Sequence, residues 1–462
     1  MKSNKYIFIF ATIVLLFLTG CSNDKPQIYD PDQRFAAEDL KADFQTIKDM
    51  LLEEHPAVPH YNNIAEFEEY LDSVYNSIGN SMNVREFYVL LAGVLEKANC
   101  GHTRLHLPEY YWYNMHQNHK YFPYKVHYTD GRLFIHRDFV PDSPIPPGSE
   151  IVSINDIPAS AMVQKALSLK PSDGHNLTYK YWNLNTISLG LFPGYIDYPD
   201  EYLIEYIPPG DLVAQKTEIA ALHRDTIRMI QRERYADDEE WEPYSFEIID
   251  SLKTAVITLN VFMNIDGYDI PEFLERSFGT LIEADAENLI IDVRGNDGGD
   301  PANAAPIIEH IIDSAFVYFK GFVHGYAGLK NPVEPHDVNF EGKVYMLIDG
   351  GSFSTTGHLL ALMRYHNLTV MIGEESGGSY RCNGCDNYIT LTNSGLRLNY
   401  PRCVYEVEVY GFGDDHGMIP DIEVIPSIDD IISNRDAVME FTLGLIGGGE
   451  LGELFNILPH SS

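Results

Sequence analysis

The chain has 462 residues, 45% of them hydrophobic, and carries 68 acidic against 32 basic side chains, a formal net charge of −36. That length exceeds one ordinary core and calls for two or three domains. An acidic excess without a basic stripe argues against nucleic-acid binding, which needs cations to neutralise phosphates.

Residues 1–20 place Lys2 and Lys5 before the apolar run IFIFATIVLLFL and lead into Leu18-Thr19-Gly20-Cys21. This is the layout of a secretory signal, and the apolar run is short for a membrane span. The small residues before Cys21 resemble a bacterial lipobox, which implies a mature chain beginning at a lipidated Cys21. Residues 21–33 are then a polar, proline-containing tether, and the expected location is the bacterial cell envelope, facing the periplasm or the cell surface. Residues 34–110 read as a helical region. Within it FYVLLAGVLEKANC has a helical apolar period and puts Gly101-His102-Thr103 at the helix's exit, off its buried face. An imidazole titrating near neutrality is the usual partner of an activated serine. His106, His358 and His416 are rivals, with His358 expected to pack behind the serine turn.

Residues 111–245 read as β-rich. In PPGSEIVSINDIPAS the spacing of Ile151, Ile154 and Ile157, bounded by Gly148 and Pro158, predicts a short strand and turn. The segment is similar to the latter part of a PDZ-like domain, a module that captures chain ends by strand addition; a purely structural β domain is the other reading. Residues 221–241 form a charged, helix-prone insertion that reads as a surface flap.

Residues 246–445 have the pattern of an α/β region. LIIDVRGNDGGDP is a buried strand feeding a glycine-rich turn at the edge of a sheet, and Gly298 and Gly299 allow close backbone approach to a substrate carbonyl. VYMLIDGGSFSTTGHLL reads as strand, glycine turn and helix, followed by the strand of TVMIGEESGG. Ser354 at the helix start is a candidate nucleophile, because unpaired N–H groups there favour developing negative charge. Simple helix capping by Ser352, Ser354 and Thr355 is the competing reading. Asp414 to Asp421 put carboxylates in a glycine-bounded turn before a short strand. NRDAVMEFTLGL reads as a closing helix capped by Ser433 or Asn434, and residues 446–462 as a tail.

Taken in order, NCGHTRL, PPGSEIVSINDIPAS, LIIDVRGNDGG, GGSFSTTGHL, VMIGEESGGS and GMIPDIEV resemble the C-terminal processing (tail-specific) serine proteases, particularly their tricorn-like branch. The resemblance spans about Phe35 to about Phe441. It implies a helical region, a PDZ-like β domain and an α/β catalytic domain of crotonase-like or ClpP-like type. It also implies Ser354 as nucleophile, His102 as base, Asp414 as the acid supporting the histidine, and an oxyanion hole from the N–H of Thr355 and one from Gly298 or Gly299. The tail-specific branch has a lysine base where this chain has Ser379, and Glu374 to Tyr380 contain none, so the histidine scheme is expected. Two further departures stand out. The acid is normally glutamate, leaving Asp415, Glu406 and Glu408 as alternatives to Asp414, and Gly101 replaces a serine.

Four cysteines besides Cys21 are available for disulfides: Cys100, Cys382, Cys385 and Cys403, with three complete pairings open. Cys382 and Cys385 are expected to bond each other or to reach Cys403 or Cys100. Neither a metal nor another cofactor is expected, since the HExxH spacing of zinc peptidases is missing. The expected partners are a peptide or protein substrate and, through the lipid, a membrane; the number of subunits is left open. The alternative function is a catalytically silent ligand-binding lipoprotein on the same fold.

Overall fold

The computed structural model describes residues 33–186, 198–235, 241–323 and 325–448. The signal segment, Cys21 and all but the last residue of the tether lie outside the described residues, as do 236–240 of the charged insertion and the tail from 449. No helix among the described residues is long and apolar enough to cross a membrane.

The α/β region is built on a six-stranded sheet running Tyr244–Ile249, Thr254–Leu259, Asn288–Asp292, Lys343–Ile348, Val370–Gly373 and Ile422–Glu423. The first pair is antiparallel and the remaining pairs are parallel. Helices Ile270–Glu283, Pro301–Glu309 and Thr355–Tyr365 make the crossovers. Such strands are covered on both faces and therefore read as unbroken apolar runs. Ile257, Leu289, Ile291, Met346 and Ile348 enter the larger core, while Val256, Ile290, Tyr345, Leu347 and Ile372 face Val438 and Leu445 of the closing helix.

That closing helix runs Ala437–Ile446, later than the sequence suggested, because Asp436 rather than Ser433 or Asn434 caps it by accepting the Met439 N–H at 3.0 Å. Asp436 also takes two hydrogen bonds from the Arg294 guanidinium, at 2.7 and 2.6 Å, and Arg294 is held by Asp292 as well. The start of the glycine-rich loop is thereby fastened to the last helix.

The helical region has its own core around Phe44, Ile47, Phe87 and Leu91. Asn83 opens the helix Val84–Glu96 with a capping box completed by Glu86. The middle region is an antiparallel sheet of Tyr124–Thr129, Arg132–Asp138, Glu150–Ile154, Glu201–Ile207 and Gln215–Ala220, packed on helix Ala159–Leu167. The expected strand and turn are there: Ile154 pairs with Ile157 across Asn155 and Asp156, both at positive φ. The charged insertion is not a free flap. Its helix Arg224–Arg234 buries Ile227 and Ile230 in the core of the helical region.

Candidate active site

Ser354 sits between the strand Lys343–Ile348 and the helix Thr355–Tyr365 with φ 56° and ψ −122°. A residue with a Cβ is rarely found there, and such conformations persist only where the surroundings enforce them. The enforcement comes from two turns laced together. Phe353 N–H donates to Asn296 O at 3.0 Å, and the Thr356 hydroxyl to the same oxygen at 2.9 Å. Ser352 Oγ donates to Val293 O at 2.9 Å and Thr355 Oγ1 to Gly299 O at 2.6 Å. Ser354 itself makes no side-chain capping bond. Its hydroxyl meets His102 Nε2 at 3.0 Å instead, so the capping reading is set aside.

His102 reaches this position from a tight turn after the helix Val84–Glu96, in which Thr103 N–H donates to Cys100 O at 3.0 Å. Its ring lies on Phe353, 4.7 Å between centroids, and Phe353 in turn stacks on Tyr179 at 4.2 Å. Gly101 must lack a Cβ here, since one would stand 2.7 Å from Phe353 Cζ. That is a physical reason for glycine where the resembled pattern has serine. Burial, with lesser contributions from Arg104 and His358, pushes the His102 imidazole down to about 3, so it rests as a neutral base.

Two of the expected oxyanion donors are left unpaired and one is not. Thr355 is the first residue of its helix, and neither its N–H nor that of Gly299 has an acceptor among the described residues. The Gly298 N–H is already given to Asn296 Oδ1 at 2.9 Å, so the expectation that it serves the oxyanion is corrected. Its role is steric: at φ 97°, a Cβ would lie 2.7 Å from Ser354 Cβ and 2.9 Å from Thr355 N.

The acid assignment is also corrected. Asp414 Oδ2 pairs with His60 Nε2, and its backbone oxygen accepts the Tyr61 hydroxyl. Among the alternatives, Glu406 pairs with Lys320 and Arg381, and Glu408 with Tyr410. The buried Nδ1 of His102 has no hydrogen-bond partner. Near His102 the fold brings Asp173, a residue that no sequence signal singles out: Asp-Gly after proline and serine reads as an ordinary turn. A ring nitrogen of His102, Cys100 Sγ and a carboxylate oxygen of Asp173 lie within 4.8 Å of one another. By type the trio matches a metal set, but a cation on the imidazole would oppose the proton that a base at this position takes from serine, so no metal is assigned.

The rival histidines fall elsewhere. His358 is buried behind the turn with Nε2 3.3 Å from Cys382 Sγ, His106 lies on the edge strand Arg104–His106, and His416 faces Glu375 at 3.6 Å. Ser379, where a lysine base would stand, directs its hydroxyl to Arg381 O.

Residues 253–424 match the profile of peptidase family S41. The α/β region belongs to that family. The protein is thus a serine peptidase, and its substrates are peptides or proteins. Its fold is similar to that of mature CPAF, with 13% identity, a TM-score of 0.64, and 89% of this chain and 97% of that chain covered. Mature CPAF complexed with lactacystin gives the same identity and TM-score over 89% and 98%. A putative peptidase from Parabacteroides merdae ATCC 43184 aligns at 16% identity over 89% and 97%, with a TM-score of 0.46. No curated protein sequence matches the chain.

The cysteines of this serine peptidase separate into two kinds. Cys385 and Cys403 form a disulfide, whereas Cys100 and Cys382 are free and buried, which corrects their expected pairing. The disulfide closes the hairpin of Arg381–Gly384 and Cys403–Glu406, whose Cys382 Sγ lies 4.0 Å from Ser354 Oγ. A link across a separation of 18 residues is expected to contribute about 3 kcal/mol. Denaturant melts of Cys385→Ala/Cys403→Ala against the parent, under oxidising conditions, should show a lower midpoint, and a matching loss when the parent is reduced.

Proposed function

We propose that this S41 peptidase is an exported, lipid-anchored serine endopeptidase of the tricorn-like type, working through an acyl-enzyme on Ser354 with His102 as base. The 3.0 Å contact between His102 Nε2 and a serine hydroxyl freed from capping carries the reading. Nε2 takes the hydroxyl proton as Oγ attacks the carbonyl carbon, and the oxygen's developing charge falls to the N–H groups of Gly299 and Thr355. The imidazolium returns the proton to the leaving amine, and water, deprotonated by the same nitrogen, releases the acid. Export and anchoring rest on the lysines, apolar run and Leu18-Thr19-Gly20-Cys21 of the leading segment. The middle region is offered as the PDZ-like module that presents the substrate.

A fluorophosphonate probe should attach to Ser354 in a chain beginning at Ser22, located by peptide mass spectrometry. A folded protein that takes up no probe would return the silent binding lipoprotein as the better account.

A further inference from the structure

We propose that Asp173 is the residue that positions His102, its carboxylate accepting the Nδ1 proton so that Nε2 presents a lone pair to Ser354. The inference rests on the Ser354–His102 reading and adds to it an acid from the middle region, where no motif placed one. Asp173 is 5% exposed, and its Oδ1 accepts the Gly101 N–H at 2.8 Å, the residue next to the base. Its other oxygen, Oδ2, is buried without a partner, as is His102 Nδ1, and the two side chains converge within 4.8 Å. A ring nitrogen of one and a carboxylate oxygen of the other lie within 4.8 Å, and a proton shared between the two unpartnered atoms would satisfy both. Catalytic hydrogen bonds are commonly loose in unliganded enzymes and tighten on binding.

The three residues that follow Asp173 fasten its turn in place. Gly174 N–H donates to Asn99 O at 3.1 Å and His175 N–H to Asp415 O at 2.7 Å. Asn176 Nδ2 donates to Glu375 Oε1 at 2.8 Å and to Ser376 O at 2.9 Å. A Cβ on Gly174 would stand 2.6 Å from Asp415 O, so this turn is wedged between the helical exit and the loop after the last long strand.

The charged and titratable groups facing the carboxylate are Tyr61 from the helical region, Cys100, His102 and Arg104 from its exit, Tyr179 from the following helix, and Arg381 and Cys382 from the hairpin. Burial raises the Asp173 carboxyl to about 7, against the opposing pull of the Gly101 N–H, Cys100 and the two guanidinium groups. Only the ionised form accepts from Nδ1–H; the protonated form donates to Nδ1 and leaves the proton on Nε2. Reaction at Ser354 should therefore rise as pH increases through about 7.

Probe labelling rates would be measured against pH for the parent, Asp173→Asn and Asp414→Asn. Asp173→Asn should slow labelling by about 10²–10⁴-fold near neutrality, with the rising limb near pH 7 lost. Asp414→Asn should stay within about threefold of the parent and keep that limb. In the parent protein, ¹⁵N-histidine NMR above pH 7 should show His102 protonated on Nδ1 and bare on Nε2, whether or not the asparagine variant folds. A proton on Nε2 instead, or labelling of Asp173→Asn at the parent's rate, overturns the assignment. A parent that does not react with the probe yet shows the Nδ1–H tautomer would overturn the hydrolase reading and leave the positioning role standing.

Discussion

Ser354→Ala is expected to lower cleavage of an unfolded protein such as fluorescein-labelled casein by about 10⁶-fold, and His102→Ala by a similar factor. The double variant should be no worse than either single one, because proton removal and attack are one event at the 3.0 Å contact. Residual turnover in all three would come from the N–H groups of Gly299 and Thr355, which neither substitution touches. Multiplying losses in the double variant would mean that the two side chains act separately, and the proposed chemistry would fail.

Gly298→Ala should cost about 10²–10³-fold in kcat, the scale of losing one oxyanion donor, although Gly298 donates nothing to the oxyanion. The added methyl group would stand 2.7 Å from Ser354 Cβ and 2.9 Å from Thr355 N, at a φ of 97° that disfavours any side chain. Either the serine turn shifts away from His102 or the Thr355 N–H is covered. The substitution also carries a stability cost of about 1–3 kcal/mol for the strained backbone, so kcat must be measured on protein shown to be folded by near-UV circular dichroism. An alanine variant of parental kcat would show that the glycine loop does not abut the nucleophile.

The Ser354–His102 contact was legible as a candidate pair because each member sits at a junction with strong local signals: Ser354 between an apolar strand and a helix, His102 just past an amphipathic helix. The α/β sheet was legible for a related reason, its strands being apolar runs broken by glycine turns. The acid was not. Asp414 and Asp173 both lie in short irregular turns, where residue type indicates a bend but not which distant side chain it meets. Only tertiary packing turns one toward His60 and the other toward His102. The oxyanion donors were half legible: glycines marked the loop, but the Asn296 side chain decides which N–H remains open. The insertion was misjudged because two isoleucines among many charges are enough to bury one side of a helix.

The hydroxyl and the imidazole belong to regions with separate hydrophobic interiors, 252 positions apart in the chain. A growing polypeptide therefore has its front portion long before the serine has been synthesised, and the reverse fragment, if released alone, has no base. In the proposed scheme reactivity arises only when both interiors have closed on one another, a late event in domain-wise folding. Under that scheme an unfinished chain carries only half of the reacting pair.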